Sequence, residues 1–230
     1  MSGMDKQTFI QKAWELQARY ACSDEVKTHL GQLDFVVVAG ATGVGKTTIM
    51  ERSGIPYVLS DVTREPRKQE KDGVDYNFRK DYDKLWEELQ NGEFVQYVVS
   101  QTEEFYGTKA SAYPDTGYCT MAIYANVLDF FKTLGFRSVV PIYIVPPNFE
   151  EWTRRAQSNY GDETKKRWIE AKESIELALS DSSYNFLVND NLDQAIKDFR
   201  DIAFGQAKDS SYQGHARQVA MELLTKIEIN

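Results

Sequence analysis

Residues 35–47 read Phe35-Val36-Val37-Val38-Ala39-Gly40-Ala41-Thr42-Gly43-Val44-Gly45-Lys46-Thr47. The last eight match G-x-x-x-x-G-K-[ST] in full. The five before them are apolar and rich in β-branched side chains, the composition of a strand buried on both faces of a parallel sheet. The following Thr48-Ile49-Met50-Glu51-Arg52 can open a helix. Strand, glycine loop and helix thus arrive in the order a phosphate-binding loop requires, because successive backbone N–H groups at a helix N-terminus wrap an anionic phosphate. On this reading Lys46 reaches the β- and γ-phosphates of a nucleotide, and the Thr47 hydroxyl ligates Mg²⁺.

A chain of 230 residues has room for one α/β domain with appendages, or a core with an inserted lobe. Hydrophobic residues make up 42% and charged residues 27%, as in a soluble globular protein. The net charge of −8 argues against a general binder of nucleic acid or of anionic membranes. A bound nucleotide must then be held by local arginines and backbone N–H groups. Cys22 and Cys119 lie far apart in no metal-binding pattern, so neither a structural zinc nor a disulfide is expected. No stretch approaches the length of a membrane span, and Met1–Lys6 lacks the basic start and apolar run of a signal peptide. The expected location is the cytoplasm.

Outward from the loop, residues 5–30 carry Phe9, Ile10, Ala13, Trp14, Leu16, Ala18 and Tyr20 at helical spacing, which predicts an added helix packed on the core. Residues 54–106 change character. Short strands are expected at Tyr57–Ser60 and Val74–Phe78, a charged loop between them, a helix from Lys80 to Asn91, and strands at Glu93–Ser100 and Glu104–Tyr106. The α/β alternation then resumes, with strands at 118–124, 138–145 and 184–188 and helices at 126–134, 149–157, 165–180 and 192–204. A polar linker over 205–212 leads to a last helix near 214–227. The predicted fold is α/β: a P-loop parallel sheet flanked by helices, with a β-rich lobe inserted after the first β-α unit.

A second constellation is Ser60-Asp61-Val62-Thr63-Arg64-Glu65-Pro66-Arg67, then Glu70, Asp72-Gly73 and Asp75-Tyr76-Asn77-Phe78. Two arginines three apart in an extended loop can face one phosphate, which the planar guanidinium fork grips bidentately. Tyr76 adds a neutral donor, and Tyr106-Gly107-Thr108 sets a glycine between two hydroxyl side chains. Alone, such an arginine pair is an ordinary solvated loop. After a P-loop it reads differently. With F-Y-G-T at 105–108, the Pro146-Pro147 turn and V-N-D-N-L-D-Q-A at 188–195, the chain resembles the guanylate kinase family over residues 35–204.

The resemblance implies ATP-dependent phosphorylation of GMP or dGMP with Mg²⁺, and small-molecule nucleotides as the partners. It divides the chain into an N-terminal helical extension (1–34), a kinase domain (35–204) and a linker with a C-terminal helix (205–230). Within the domain it implies a core (35–59 and 113–204), a nucleoside-monophosphate-binding lobe (60–112) and a short lid at about 156–166. Carried over by position, Gly43, Val44, Gly45, Lys46, Thr47, Thr48 and Asn189 fall to ATP, with Thr47 on Mg²⁺. Ser60, Asp61, Arg64, Arg67, Tyr76, Gln96, Tyr106 and Thr108 fall to the acceptor nucleotide. Lys46, Arg64, Arg155 and Arg167 are the expected catalytic cations. The terminal helices are candidate surfaces for a homodimer.

The chain departs from the family pattern at the base. Where the family has a glutamate that accepts hydrogens from guanine N1 and the 2-amino group, this chain has Gln96, which offers one acceptor and two donors. The family's strand carboxylates are replaced by Ile123 and Ala125, and Asp61 stands where a small hydroxyl residue is usual. In the lid, Ser158-Asn159-Tyr160-Gly161 replaces an arginine-glycine pair. Three readings are therefore open from the sequence: a GMP kinase, a purine monophosphate kinase shifted toward a 6-amino or 2-aminoadenine-type base, and a guanylate-kinase-like binding module with little catalysis.

Overall fold

A computed structural model describes residues 3–67, 70–160, 164–206 and 209–229, without the side chains of 157–160 and 164–166. Its helices are α1 (Lys6–Gln17), α2 (Asp24–Leu30), α3 (Lys46–Ser53), α4 (Tyr82–Gln90), α5 (Leu128–Lys132), α6 (Phe149–Tyr160), α7 (Thr164–Ser180), α8 (Leu192–Ala203) and α9 (Ser210–Ile229). Its strands are β1 (Leu33–Ala39), β2 (Asp61–Val62), β3 (Asn77–Phe78), β4 (Phe94–Val99), β5 (Phe105–Lys109), β6 (Gly117–Ala122), β7 (Ser138–Val145) and β8 (Asn185–Val188). The chain divides into two compact units. One comprises Met1–Leu33, Tyr57–Gly117 and Leu134–Arg137, and the other comprises Asp34–Pro56, Tyr118–Thr133 and Ser138–Asn230.

The second unit is built on the sheet β6-β1-β7-β8. β1 pairs with β7, and β7 with β8, in parallel. Phe35 to Ala39 are fully buried, as a central parallel strand with both faces covered demands. α8 and α9 pack on β7 and β8, and α3 packs on α8. The amphipathic α8 turns Ala195, Phe199, Ile202 and Ala203 inward, and Asn191 caps its first turn by accepting from the Gln194 N–H at 3.0 Å.

The first unit holds the sheet β3-β2-β5-β4. β5 runs antiparallel to both β2 and β4, with Asp61 opposite Gly107, Val62 opposite Tyr106 and Gln96 opposite Thr108. Opposed residues share a face and neighbours alternate, so Gln96, Tyr106 and Thr108 face one way while Asp61 and Tyr97 face the other. That other face carries the core of Phe9, Ile10, Ala13, Leu85, Leu89, Phe94, Tyr97, Val99 and Phe105.

Residues 5–30, read from the sequence as one helix, form two. Asp5 caps α1 by accepting from the Thr8 N–H, and Ser23 caps α2 by accepting from the Val26 N–H. Ser23-Asp24-Glu25 is a start signal in mid-stretch, and it overrides the continuing apolar periodicity. α1 packs on β4 and α4 of its own unit. The Tyr97 hydroxyl donates to the Ala13 carbonyl at 2.8 Å, and the Tyr20 hydroxyl donates to the Phe94 carbonyl at 2.7 Å.

Candidate active site

The glycine loop leaves β1 and enters α3 through Gly45, whose φ of 94° lies where glycine alone is unstrained. A Cβ there would also collide with the Asn189 side-chain amide. Gly45 has no side chain to cap α3, so the first-turn N–H groups of the helix remain available to an anion. The loop is held from outside at two points. Asn189, at the end of β8 and buried, donates its side-chain N–H to the Val44 carbonyl at 2.8 Å. Trp152, the largest fully buried side chain, donates Nε1–H to the Thr42 carbonyl at 2.8 Å.

Lys46 Nζ donates to the loop's own carbonyls, Gly40 at 2.6 Å and Ala41 at 2.9 Å. Burial lowers its pKa to about 8. A nucleotide phosphate would compete with those carbonyls for the ammonium and favour its charged form. Arg155 donates from Nε to Glu151 Oε1 at 2.7 Å and from Nη1 to the Asn189 carbonyl at 3.1 Å. Hydrogen bonds from Arg154 and Arg155 hold Glu151 down to about 2. Arg167 donates to Glu170 at 2.8 Å, one turn along α7. In the lid expected at about 156–166, residues 161–163 lie outside the described residues and the side chains of 157–160 and 164–166 are not described, so the side-chain departure at Ser158–Gly161 lies outside them too.

In the other unit, Arg64 is pre-oriented. Its Nη1 and Nη2 donate to Glu70 Oε2 and Oε1 at 2.6 and 2.8 Å, and its guanidinium stacks 4.9 Å from the Tyr76 ring centroid and 5.6 Å from that of Phe78. The Glu70 bond raises the Arg64 pKa further and holds Glu70 below the usual carboxylate range, and burial pushes the Tyr76 phenol up. The acidic residues of this stretch build the loop. Glu70 also accepts from the Arg67 N–H, Asp72 from the Phe78 N–H and Asp75 from the Lys71 N–H, each at 2.8–2.9 Å. Thr63, just before Arg64, donates to Glu104 at 2.8 Å and accepts from the Phe105 N–H at 2.9 Å, which pins the loop's root to β5. The Arg67 side chain is exposed, and Ser60, Tyr76 and Tyr106 are half-buried.

A family model described as guanylate kinase matches residues 32–206. The chain belongs to the guanylate kinase family. A guanylate kinase of Deinococcus radiodurans is 31% identical over 187 residues, covering 75% of this chain and 74% of that one. A guanylate kinase of Myxococcus xanthus is 29% identical over 182 residues, covering 74% of this chain and 86% of its own. The crystal structure of guanylate kinase from Anaplasma phagocytophilum shares the fold. Its TM-score is 0.52 at 22% identity, over 82% of this chain and 94% of that one.

Within this guanylate kinase fold Asp61 does not do what its position in the sequence led us to expect. It is 3% exposed and lies on the sheet face opposite Gln96. Its carboxylate takes the Asn77 side-chain amide at 2.9 Å and an ion pair with Arg79. Arg79 also pairs with Glu88 at 2.8 Å, and Glu88 with Lys109 at 2.7 Å. Asp61 is therefore an anchor for a buried charge network and is not placed to accept from a 6-amino group beside Gln96. Thr108, expected at the purine, is fully buried, with its hydroxyl 3.3 Å from Gln96 Nε2 and 3.1 Å from the Tyr113 hydroxyl. Sequence reasoning gave no role to Trp152, Glu70, Arg79 or Tyr113. For Trp152 a signal existed, since a buried indole N–H needs an acceptor.

Mg²⁺ suits the donor loop. That ion keeps several waters and takes few protein oxygens when it arrives on a nucleotide. Thr47 is exposed in the first turn of α3, beside Lys46 and the uncapped helix start. Its hydroxyl is the oxygen that this loop could offer to an ion carried in on a nucleotide. Among the described residues, no helix is long and apolar enough to cross a membrane.

Proposed function

We propose that this chain transfers the γ-phosphoryl group of ATP to GMP or dGMP, giving ADP and GDP or dGDP. An oxygen of the acceptor's phosphate attacks the γ-phosphorus, and the bond to the β-phosphate oxygen breaks. The protein forms no covalent bond, so its work is alignment and charge neutralisation. The N–H groups of Gly43 to Thr48 and the Lys46 ammonium hold the donor phosphates. Thr47 would hold Mg²⁺, which would supply charge neutralisation at those phosphates. Arg64 and Arg67, with the Tyr76 and Tyr106 hydroxyls, hold the acceptor phosphate. Ser60 and Gln96 meet the base, and Arg155 and Arg167 offset charge as it shifts between the two phosphate chains.

The observation that carries this reading is Arg64, fixed bidentately by Glu70 and stacked on Tyr76 in a chain that also holds a complete phosphate loop. Intact Lys46 and Thr47 in that loop, with Arg64, Arg67 and both tyrosines, count against a binding module with little catalysis. The shifted-base alternative loses the part of its support that came from Asp61, which faces the other way, and the match to guanylate kinases does not favour it. The test is ADP release from MgATP with GMP, dGMP, IMP and AMP in turn. Turnover confined to guanine nucleotides is expected, and retained GMP binding with no turnover would favour the module.

A further inference from the structure

Gln96, Thr108 and Tyr113 form a chain of side-chain hydrogen bonds in the acceptor-binding unit. Gln96 and Thr108 are directly opposed across β4 and β5, and Gln96 Nε2 lies 3.3 Å from Thr108 Oγ1. Thr108 Oγ1 lies 3.1 Å from the Tyr113 hydroxyl. Thr108 is fully buried and Tyr113 is 5% exposed, whereas Gln96 is half-buried. The two inner members are sealed from solvent, and only the outer one can meet a ligand.

We propose that Tyr113 is a positioning residue for guanine recognition: it consumes the single proton of Thr108, which fixes the Gln96 amide with its carbonyl outward. A threonine hydroxyl has one hydrogen and two lone pairs. Donated to Tyr113 Oη, that hydrogen leaves only lone pairs facing Gln96. The amide then presents Nε2–H to Thr108, and Oε1 turns to the open face as an acceptor. Guanine offers two donors, N1–H and the 2-amino group, where a family member presents a carboxylate. A carboxylate has no wrong face, but an amide turned by 180° would set its own donors against those of guanine. An amide in this position therefore needs a lock, and the Thr108–Tyr113 pair supplies it. The inference rests on the GMP kinase reading and names the device behind its base recognition.

Without Tyr113 the Thr108 proton can turn toward Gln96, and both amide faces become equally good. Tyr113→Phe is expected to raise KM for GMP about fivefold, the worth of one net hydrogen bond, with kcat and KM for ATP within twofold of wild type. The distinguishing measurement is the pair of backgrounds. Gln96→Glu in the parent chain sets a carboxylate oxygen against the Thr108 lone pairs and should not improve KM for GMP. Combined with Tyr113→Phe, the freed Thr108 proton can donate to that carboxylate, so the double variant should bind GMP better than either single variant. Thermal melting of each variant shows that it is folded. Additive effects, or equal losses toward ATP and GMP, would overturn the proposal while leaving the GMP kinase reading in place. A folded parent chain that does not phosphorylate GMP would overturn both.

Discussion

The Asn189 side chain donates to the Val44 carbonyl at 2.8 Å, and the same amide fills the space that a Cβ on Gly45 would need. The end of β8 is thereby locked to the phosphate loop, and this asparagine shapes the loop itself. Asn189→Ala leaves a buried carbonyl without its donor, at a cost of about 1–3 kcal/mol. The expected result is a lower melting temperature together with a KM for ATP raised about tenfold or more, and KM for GMP unmoved. Steady-state kinetics with each substrate varied in turn separates the two.

Lys46 gives a pH signature. Its buried ammonium has a pKa of about 8 against an ordinary 10.5. Below about 8 the folded chain carries a buried charge that the unfolded chain would leave in water. Between about 8 and 10.5 the unfolded chain binds a proton that the folded chain has released, so this group's contribution to stability rises with pH. The melting temperature of the nucleotide-free parent chain should therefore gain on that of Lys46→Met as pH climbs through that window. The same change should lower kcat about a hundredfold or more, because the donor phosphates lose their cation. Melting curves at several pH values, with and without MgATP, check both.

Asp61 separates scaffold from base reader. Asp61→Asn removes one of the two carboxylates that pair with Arg79 and leaves Glu88 as its partner, for which about 1–3 kcal/mol of destabilisation is expected. Where the variant still folds, its preference for GMP over AMP should match the parent's. A changed preference would return Asp61 to the base site.

The parallel sheet was legible because β-branched runs and the glycine loop are local signals, and β1 and β7 stand where the pattern predicts them. The donor loop was legible for the same reason, since its motif and its geometry occupy one stretch. Acceptor-side chemistry was harder. Asp61 and Gln96 look like partners in sequence, but the pairing of Asp61 with Gly107 and Gln96 with Thr108 sets them on opposite faces. Only register decides that, and register is long-range. Asn189, Trp152 and Tyr113 act through partners 145, 110 and 5 residues away, and no spacing rule announces such contacts. The break between α1 and α2 was visible as Ser23-Asp24-Glu25, and continuing helical periodicity masked it.

Glu70 tests the acceptor fork. Its bond to Arg64 holds its folded pKa below the unfolded 4.5, so the stabilisation it gives is present above that value and lost as pH falls through the lower folded pKa. Glu70→Gln should remove this acid-dependent part of the stability. It should also raise KM for GMP about tenfold, because a neutral amide cannot hold the guanidinium bidentately, and leave KM for ATP near that of the parent.

Guanine recognition through Gln96 is read from kcat/KM for GMP and AMP with saturating MgATP. GMP should be favoured by about a thousandfold or more, as expected where hydrogen-bonding groups of the site face the wrong base. Comparable turnover of AMP would remove Gln96 as the reader of the base, and no turnover of GMP by a folded chain that binds it would show that this chain is not a guanine nucleotide kinase.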